Sequence, residues 1–236
     1  MKKVKWIKGG DIQRVATFSF VLFFLLFFTG CATITSLILP KPPREKTAEE
    51  LAAGGMTYLR KGDYYKSAES FQQIKDRYPF SQYSLLAALK LADIHYHRKE
   101  YEEAISAYQE FEKLHPTNEA LPYVTYQIGM SYFRQMLGID RDQAATRNAL
   151  NEFHRLLNTY PNSPYVIEAK EKIGQCRERL AEHELYVGRF YLRTKQYQAA
   201  LNRLRRLVSD YPETSVREKA LALIKQCEGK LGAGVS

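Results

Sequence analysis

Between residues 47 and 231, apolar side chains return at intervals of three and four. In YEEAISAYQEFEKL the apolar set is Tyr101, Ala104, Ile105, Tyr108, Phe111 and Leu114, the stripe of a helix that buries one face. The segment before it, LLAALKLADIHYH, places Leu85, Ala88, Leu91, Ala92 and His95 on one side in the same way. The join between them, RKEY, is short and favours an antiparallel helical hairpin. Few runs alternate apolar with polar residues and β-branched residues are sparse, so strands are not expected. Four strings of this kind close on an aromatic residue or histidine followed by proline, with prolines at 79, 116, 161 and 212, spaced by 37, 45 and 51 residues. Proline lacks an N–H and pushes the residue before it out of the helical region, so each pair reads as a helix stop. The pattern predicts an all-α stack of hairpins over 47–80, 83–117, 121–162 and 164–213, with a last helix over 214–231.

The order of small and large residues within the hairpins resembles the tetratricopeptide repeat, a helix–turn–helix unit of about 34 residues. In the first copy Leu51, Gly55, Tyr58, Phe71, Ile74 and Pro79 fit, with Ser67 where alanine is usual. In the fourth, Gly188 and Tyr191 take first-helix positions, and Ala200, Leu204, Leu207 and Pro212 take those of the second. Gly129, Tyr132, Ala149 and Phe153 mark a third copy, stretched around LGIDRDQ. PYVIEAKEKIGQCRERL supplies an extra helix before the fourth copy, and SVREKALALIKQCEGKL matches a first helix without its partner, as a capping helix would. The resemblance implies a solenoid of about four and a half repeats.

The first thirty residues follow another logic. Lys2, Lys3, Lys5, Lys8 and Arg14 precede VATFSFVLFFLLFFTG, an uncharged apolar run that ends in small residues before Cys31. A basic start, an apolar centre and a small-residue end describe an export signal. Phe28-Thr29-Gly30-Cys31 resembles a lipobox, with Phe28 where that pattern prefers leucine. The expectation is a signal peptide over 1–30, a lipidated Cys31, and an extended tether over 31–46 stiffened by Pro40, Pro42 and Pro43. An uncleaved anchor stays open, because no charge occurs between Val15 and Leu39 and roughly 20 apolar residues span a bilayer. Ala32 after the cysteine, rather than aspartate, points to the outer membrane.

Composition removes other classes. The formal charge is +9, but the first thirty residues hold five of the 35 basic and one of the 26 acidic side chains; the rest is mildly basic. With no recognised binding motif, nucleic acid is not an expected partner. Cys31, Cys176 and Cys227 form no metal-binding pattern, and the last two sit at equivalent positions in IGQC and IKQC, as buried packing residues would, with a disulfide between them left open by an oxidising compartment. His95 and His97 lie two residues apart on different helix faces and cannot share a metal. No GxSxG, HExxH or phosphate-binding loop occurs, so neither enzyme activity nor any cofactor is expected beyond the lipid on Cys31.

Lipobox, proline-rich tether and repeats in this order closely resemble the BamD (ComL) family of outer-membrane lipoproteins of the β-barrel assembly machinery. YPFSQY at Tyr78–Tyr83, Leu137-Gly138-Ile139-Asp140-Arg141 and YPNSPY at Tyr160–Tyr165 look like that family. The resemblance implies a scaffold beneath the outer membrane, bound to the barrel-forming subunit and companion lipoproteins and handling unfolded outer-membrane proteins. A lipid-anchored repeat adaptor for peptidoglycan enzymes or envelope protein turnover is the alternative.

In tetratricopeptide stacks the first helices line the concave face. By repeat position that face receives Met56, Leu59, Arg60, Asp93, Tyr96, His97, Tyr126, Met130, Phe133 and Arg134. Such a surface suits an apolar or aromatic peptide whose carboxylate pairs with arginine; alternatively several of these residues pack between repeats. Arg189, Arg193, Lys195, Arg203, Arg205 and Arg206 crowd the fourth repeat, either as a docking patch for an acidic partner or as a solvated face.

A lipobox requires its thiol, so Cys31→Ser should accumulate unacylated precursor. Mass spectrometry of the mature chain should find a diacylglyceryl-cysteine at its N-terminus; intact Met1–Gly30 on the membrane-bound protein would establish the anchor instead.

Overall fold

The computed structural model describes residues 44–232. The export signal over 1–30, Cys31 and most of the tether lie outside the described residues. The described chain forms helices α1 (Ala48–Arg60), α2 (Tyr64–Arg77), α3 (Gln82–His97), α4 (Tyr101–Leu114), α5 (Leu121–Arg134), α6 (Ala144–Thr159), α7 (Val166–Arg193), α8 (Tyr197–Asp210) and α9 (Arg217–Gly232), and no strand. Each helix packs on its sequence neighbours. First helices of adjacent hairpins also touch (α1 with α3, α5 with α7), whereas second helices of adjacent hairpins approach each other less closely. The result is an all-α solenoid of helical hairpins, with first helices crowded on one side and second helices splayed on the other.

Local chemistry sets the helix ends. Thr47 and Glu50 form a capping box at α1: the Thr47 hydroxyl accepts from the Glu50 N–H at 3.2 Å, and the Glu50 carboxylate accepts from the Thr47 N–H at 2.9 Å. At the other end, Tyr78, His115, Tyr160 and Tyr211 share one conformation, with φ of −130 to −132° and ψ of 49 to 60°, and each still donates its N–H to the carbonyl four residues back. The following proline supplies no donor, and the helix ends there. The turn inside three hairpins needs a left-handed residue: Gly62 (φ 74°), Lys99 (φ 63°) and Lys195 (φ 58°) stand at the same repeat position.

The hairpins close on a small residue facing a large one. A Cβ built on Gly55 would meet the Phe71 ring at 2.9 Å, one on Gly129 the Phe153 ring at 2.7 Å, and one on Gly188 the Leu204 side chain at 2.8 Å. Ala92 and Tyr108 hold the corresponding positions in the second hairpin, both fully buried in one cluster. Three of these pairs are sixteen residues apart and Gly129–Phe153 is twenty-four, which measures the insertion in the third hairpin as eight.

That insertion is tied down. The buried Gln143 amide donates to the carbonyls of Gly138 and Arg141 (2.8 and 3.0 Å) and accepts from the Thr146 hydroxyl at 2.9 Å. Arg179 and His183 of α7 bond the carbonyls of Leu137 and Ile139 at 2.9 and 2.7 Å. The extra helix read before the fourth copy is not separate. It runs straight into that copy's first helix, making α7 a 28-residue rod about 42 Å long. Nothing between Leu180 and Tyr191 breaks it: Leu180, Ala181, Leu185 and Gly188 keep one buried stripe throughout. Cys176 and Cys227 are buried free thiols, and burial pushes the Cys176 thiol up to about 12.

Glycine identity should matter only where helices meet. Gly129→Ala drives a methyl into a fully buried ring and should cost about 1–3 kcal/mol in denaturant unfolding. Gly174→Ala, with nothing within 4 Å on the exposed side of α7, should stabilise by about 0.5–1 kcal/mol. Equal effects at the two sites would remove this account of hairpin closure.

Candidate functional site

The inner face between the second, third and fourth hairpins carries a group of half-exposed aromatic and charged side chains. At its centre, Arg134 at the end of α5 donates Nε–H to the Tyr96 hydroxyl of α3 at 3.2 Å. That bond pushes the guanidinium further up, and it leaves both terminal nitrogens for a ligand. Tyr96 is braced edge-on by His97 and Tyr101, with ring centroids 5.9 and 5.7 Å away. One repeat along, Tyr126 stacks on Tyr165 at 5.1 Å, nearly parallel, and donates its hydroxyl to Glu168 at 2.7 Å. Burial first, then the Glu168 carboxylate, pushes the Tyr126 phenol far up, so it remains a donor at any working pH. Phe133 leans edge-on against Phe153, and Lys172 sits 5.2 Å from its ring centre.

The expected groove residues therefore divide. Tyr96, His97, Tyr126, Phe133 and Arg134 share this face, and His97 stacks flat on Tyr64 at 5.6 Å. Arg60 is exposed at the end of α1 and reaches only Thr57. Met56 and Leu59 are half-buried against the first core cluster. Two expectations fail. Met130 is 7% exposed and packs with Phe153 and Ile173, because its position on α5 turns toward α6 and α7. Asp93 is 3% exposed: it accepts from the hydroxyls of Tyr108 and Tyr123, both at 2.7 Å, and from Lys90 at 2.7 Å. It is an internal bracket between α3, α4 and α5; burial of the two phenols, and next the Asp93 charge beside them, pushes both of them upward.

Tyr165, Glu168 and Lys172 were not legible as site residues. They come from the start of α7, and only the stacking of α7 on α5 brings them opposite Tyr126 and Phe133. The available signal was Glu168 and Lys172 at i, i+4, off the buried stripe of Ala169, Ile173 and Cys176.

The basic cluster also divides. Glu184 accepts from Arg203 at 3.3 Å and lies 4.0 Å from Arg206, while Arg205 pairs with Glu228 at 2.9 Å. Arg189, Arg193 and Lys195 are exposed, with no carboxylate partner among the described residues. On α7, Tyr186 and Phe190 are exposed beside Arg189 and Arg193. Among the described residues no cluster of His, Cys, Asp and Glu could hold a metal, and no helix is long and apolar enough to cross a membrane.

Comparison with known proteins gives this arrangement its family. The model of the family YfiO, outer membrane lipoprotein, matches residues 44–234. The chain is similar to outer membrane protein assembly factor BamD of Vibrio cholerae, 30% identical over 93% of each chain. It is also similar to BamD of Pasteurella multocida, 26% identical over 93% of this chain and 86% of the relative, and to BamD of Caulobacter vibrioides, 32% identical over 75% of this chain and 58% of the relative. Among solved structures it resembles a tetratricopeptide repeat protein from Parabacteroides merdae, with a TM-score of 0.41 and 16% identity over 80% of this chain and 76% of that one. With a family match spanning 44–234 and a 30% identical relative over nearly its whole length, this protein belongs to the YfiO family of outer membrane lipoproteins.

Proposed function

We propose that this chain is a non-catalytic scaffold for outer-membrane protein assembly, lipid-anchored through Cys31 at the periplasmic face of the outer membrane. In this reading the inner face from the second hairpin to the start of α7 receives unfolded outer-membrane proteins. The fourth hairpin docks the barrel-forming subunit and companion lipoproteins of the assembly machinery. Relatives named outer membrane protein assembly factor support the general role. The observation that carries the site is the Tyr96–Arg134 pair on the same face as the Tyr126–Tyr165 stack and Phe133.

The chemistry is complementary to a peptide that ends in an aromatic residue and a free carboxylate. Arg134 is held through Nε, so its two terminal nitrogens present a fork matched to a carboxylate. The Tyr126–Tyr165 stack and the Phe133 ring offer rigid apolar area for the side chain. Arg134 is exposed, so the ion pair by itself contributes little, and affinity depends on aromatic burial around it.

For the fourth hairpin, the free cations make α7 the better docking surface. Arg203, Arg205 and Arg206 already have internal carboxylates, which a partner would have to displace. Arg189 and Arg193 have none among the described residues, and with Tyr186 and Phe190 they form the aromatic-plus-arginine combination that dominates many interfaces.

Two double variants test the division of labour. Tyr96→Ala with Arg134→Ala should weaken binding of such a peptide at least tenfold, about 1.4 kcal/mol, while keeping helicity and partner docking. Arg189→Glu with Arg193→Glu should keep peptide binding and lose docking to the periplasmic domain of the barrel-forming subunit. Titration of both variants with one peptide and one partner domain decides: equal loss of both activities in each variant, or loss of neither, sinks the two-surface reading.

A further inference from the structure

The four hairpins keep polar residues at two positions around each proline stop, with one exception at each. After the proline stand Thr117, Asn162 and Glu213 in the later repeats, but Phe80 in the first. Two residues before it stand Arg77, Thr159 and Asp210, but Leu114 in the second. Phe80 is 100% exposed and Leu114 61%. These two exceptions line the same groove, which runs over α3 between α2 and α4 on the outer side of the solenoid and encloses about 560 Å³. Its floor is Leu85, Ala88 and Leu91.

The charges at its walls are also unusual. In the next gap along, Glu112 of α4 pairs with Arg155 of α6 at 2.5 Å and ties the two second helices together. The same repeat positions in the α2–α4 gap are Lys75 and Glu110. They have opposite charge and both line the groove, yet they make no ion pair among the described residues. The groove continues past His95 along α4, where Glu102, Glu103 and Ser106 join Glu110. His95 is held by Glu100 at 2.8 Å, so Glu102, Glu103 and Glu110 are the carboxylates on that wall with no ion pair among the described residues. An acidic wall beside an apolar floor selects for a basic, apolar ligand.

We infer that this outer groove docks an amphipathic helix of a partner protein, with its apolar stripe on Leu85, Leu91, Phe80 and Leu114 and a Lys/Arg flank toward Glu103 and Glu110. The inference concerns a different surface from the proposed peptide and subunit sites and does not rest on them. A helix fits better than an extended peptide, because the floor offers methyl groups and no strand edge, and a helix satisfies its own backbone. The floor from Leu85 to His95 runs about 15 Å, three helical turns. Phe80 is the aromatic anchor, and Lys75 faces the opposite, acidic or polar flank of the incoming helix.

The probe is an 18-residue peptide with leucines on one helical face and lysines along one flank, alongside the same peptide with glutamates on that flank. Each is titrated against the full chain in zwitterionic nanodiscs, with empty discs as the blank. The lysine peptide should bind at least tenfold more tightly than the glutamate peptide and become helical when bound. Glu103→Lys with Glu110→Lys should invert that order. Phe80→Ser with Leu114→Ser, both solvent-facing and so without effect on folding, should weaken both peptides at least tenfold. The proposal is overturned if the preference survives the charge reversal, if the serine pair binds as well as wild type, or if the bound peptide stays non-helical. It is equally overturned if two copies of the chain associate and Leu114→Ser separates them, which would assign the groove to a second copy.

Discussion

Everything in this solenoid depends on how closely two helices of one hairpin approach, and that distance is set by a glycine or alanine facing a large apolar side chain. Gly55 on Phe71, Gly129 on Phe153 and Gly188 on Leu204 leave no room for a Cβ without displacement. Because the large partners are fully buried, they cannot swing aside, and a packed interior transmits such displacement instead of absorbing it. Repeating this contact fixes the angle between hairpins, and the angle brings first helices together while second helices diverge. The inner aromatic face and the outer groove are both consequences of that divergence.

The third hairpin shows how the device tolerates an insertion. Eight extra residues separate Gly129 from Phe153, yet the contact between them is unchanged. The added chain is satisfied internally by Gln143 and externally by Arg179 and His183 on α7. Its exposed carbonyls would otherwise remain unpaired against the helix. Since α7 is one continuous rod, it links the insertion and the inner site near Tyr126 to the fourth hairpin without a joint.

Buried polar groups specify the stack where the inner face is most crowded. Asp93 collects two phenols and an ammonium from three helices, so the second and third hairpins are locked in register by directional bonds as well as by volume. Three positions away on the same helix face, Tyr96 and Arg134 make the analogous link at the surface, where water competes for it. The buried bracket is structural and the exposed one remains available to a ligand; burial separates the two roles.

The helical class, the hairpin repeats, the proline stops and the small-to-large positions were legible in the sequence. They depend on periodicity and on local backbone rules acting within one hairpin. The same reasoning placed Tyr96, His97, Tyr126, Phe133 and Arg134 on one face, because repeat position determines direction along an ideal helix. It failed for Met130 and Asp93, whose positions turn toward neighbouring helices that the sequence does not locate. It read α7 as two helices because two repeat patterns meet inside it, while the unbroken buried stripe that joins them is defined only by what packs against it. Tyr165, Glu168 and Lys172 at the inner site, the carboxylates that occupy Arg203 and Arg205, and the open gap between Lys75 and Glu110 were decided by tertiary structure alone. Each is a relation between residues far apart in the chain, and such distances are set by the stacking angle of whole hairpins rather than by any local pattern.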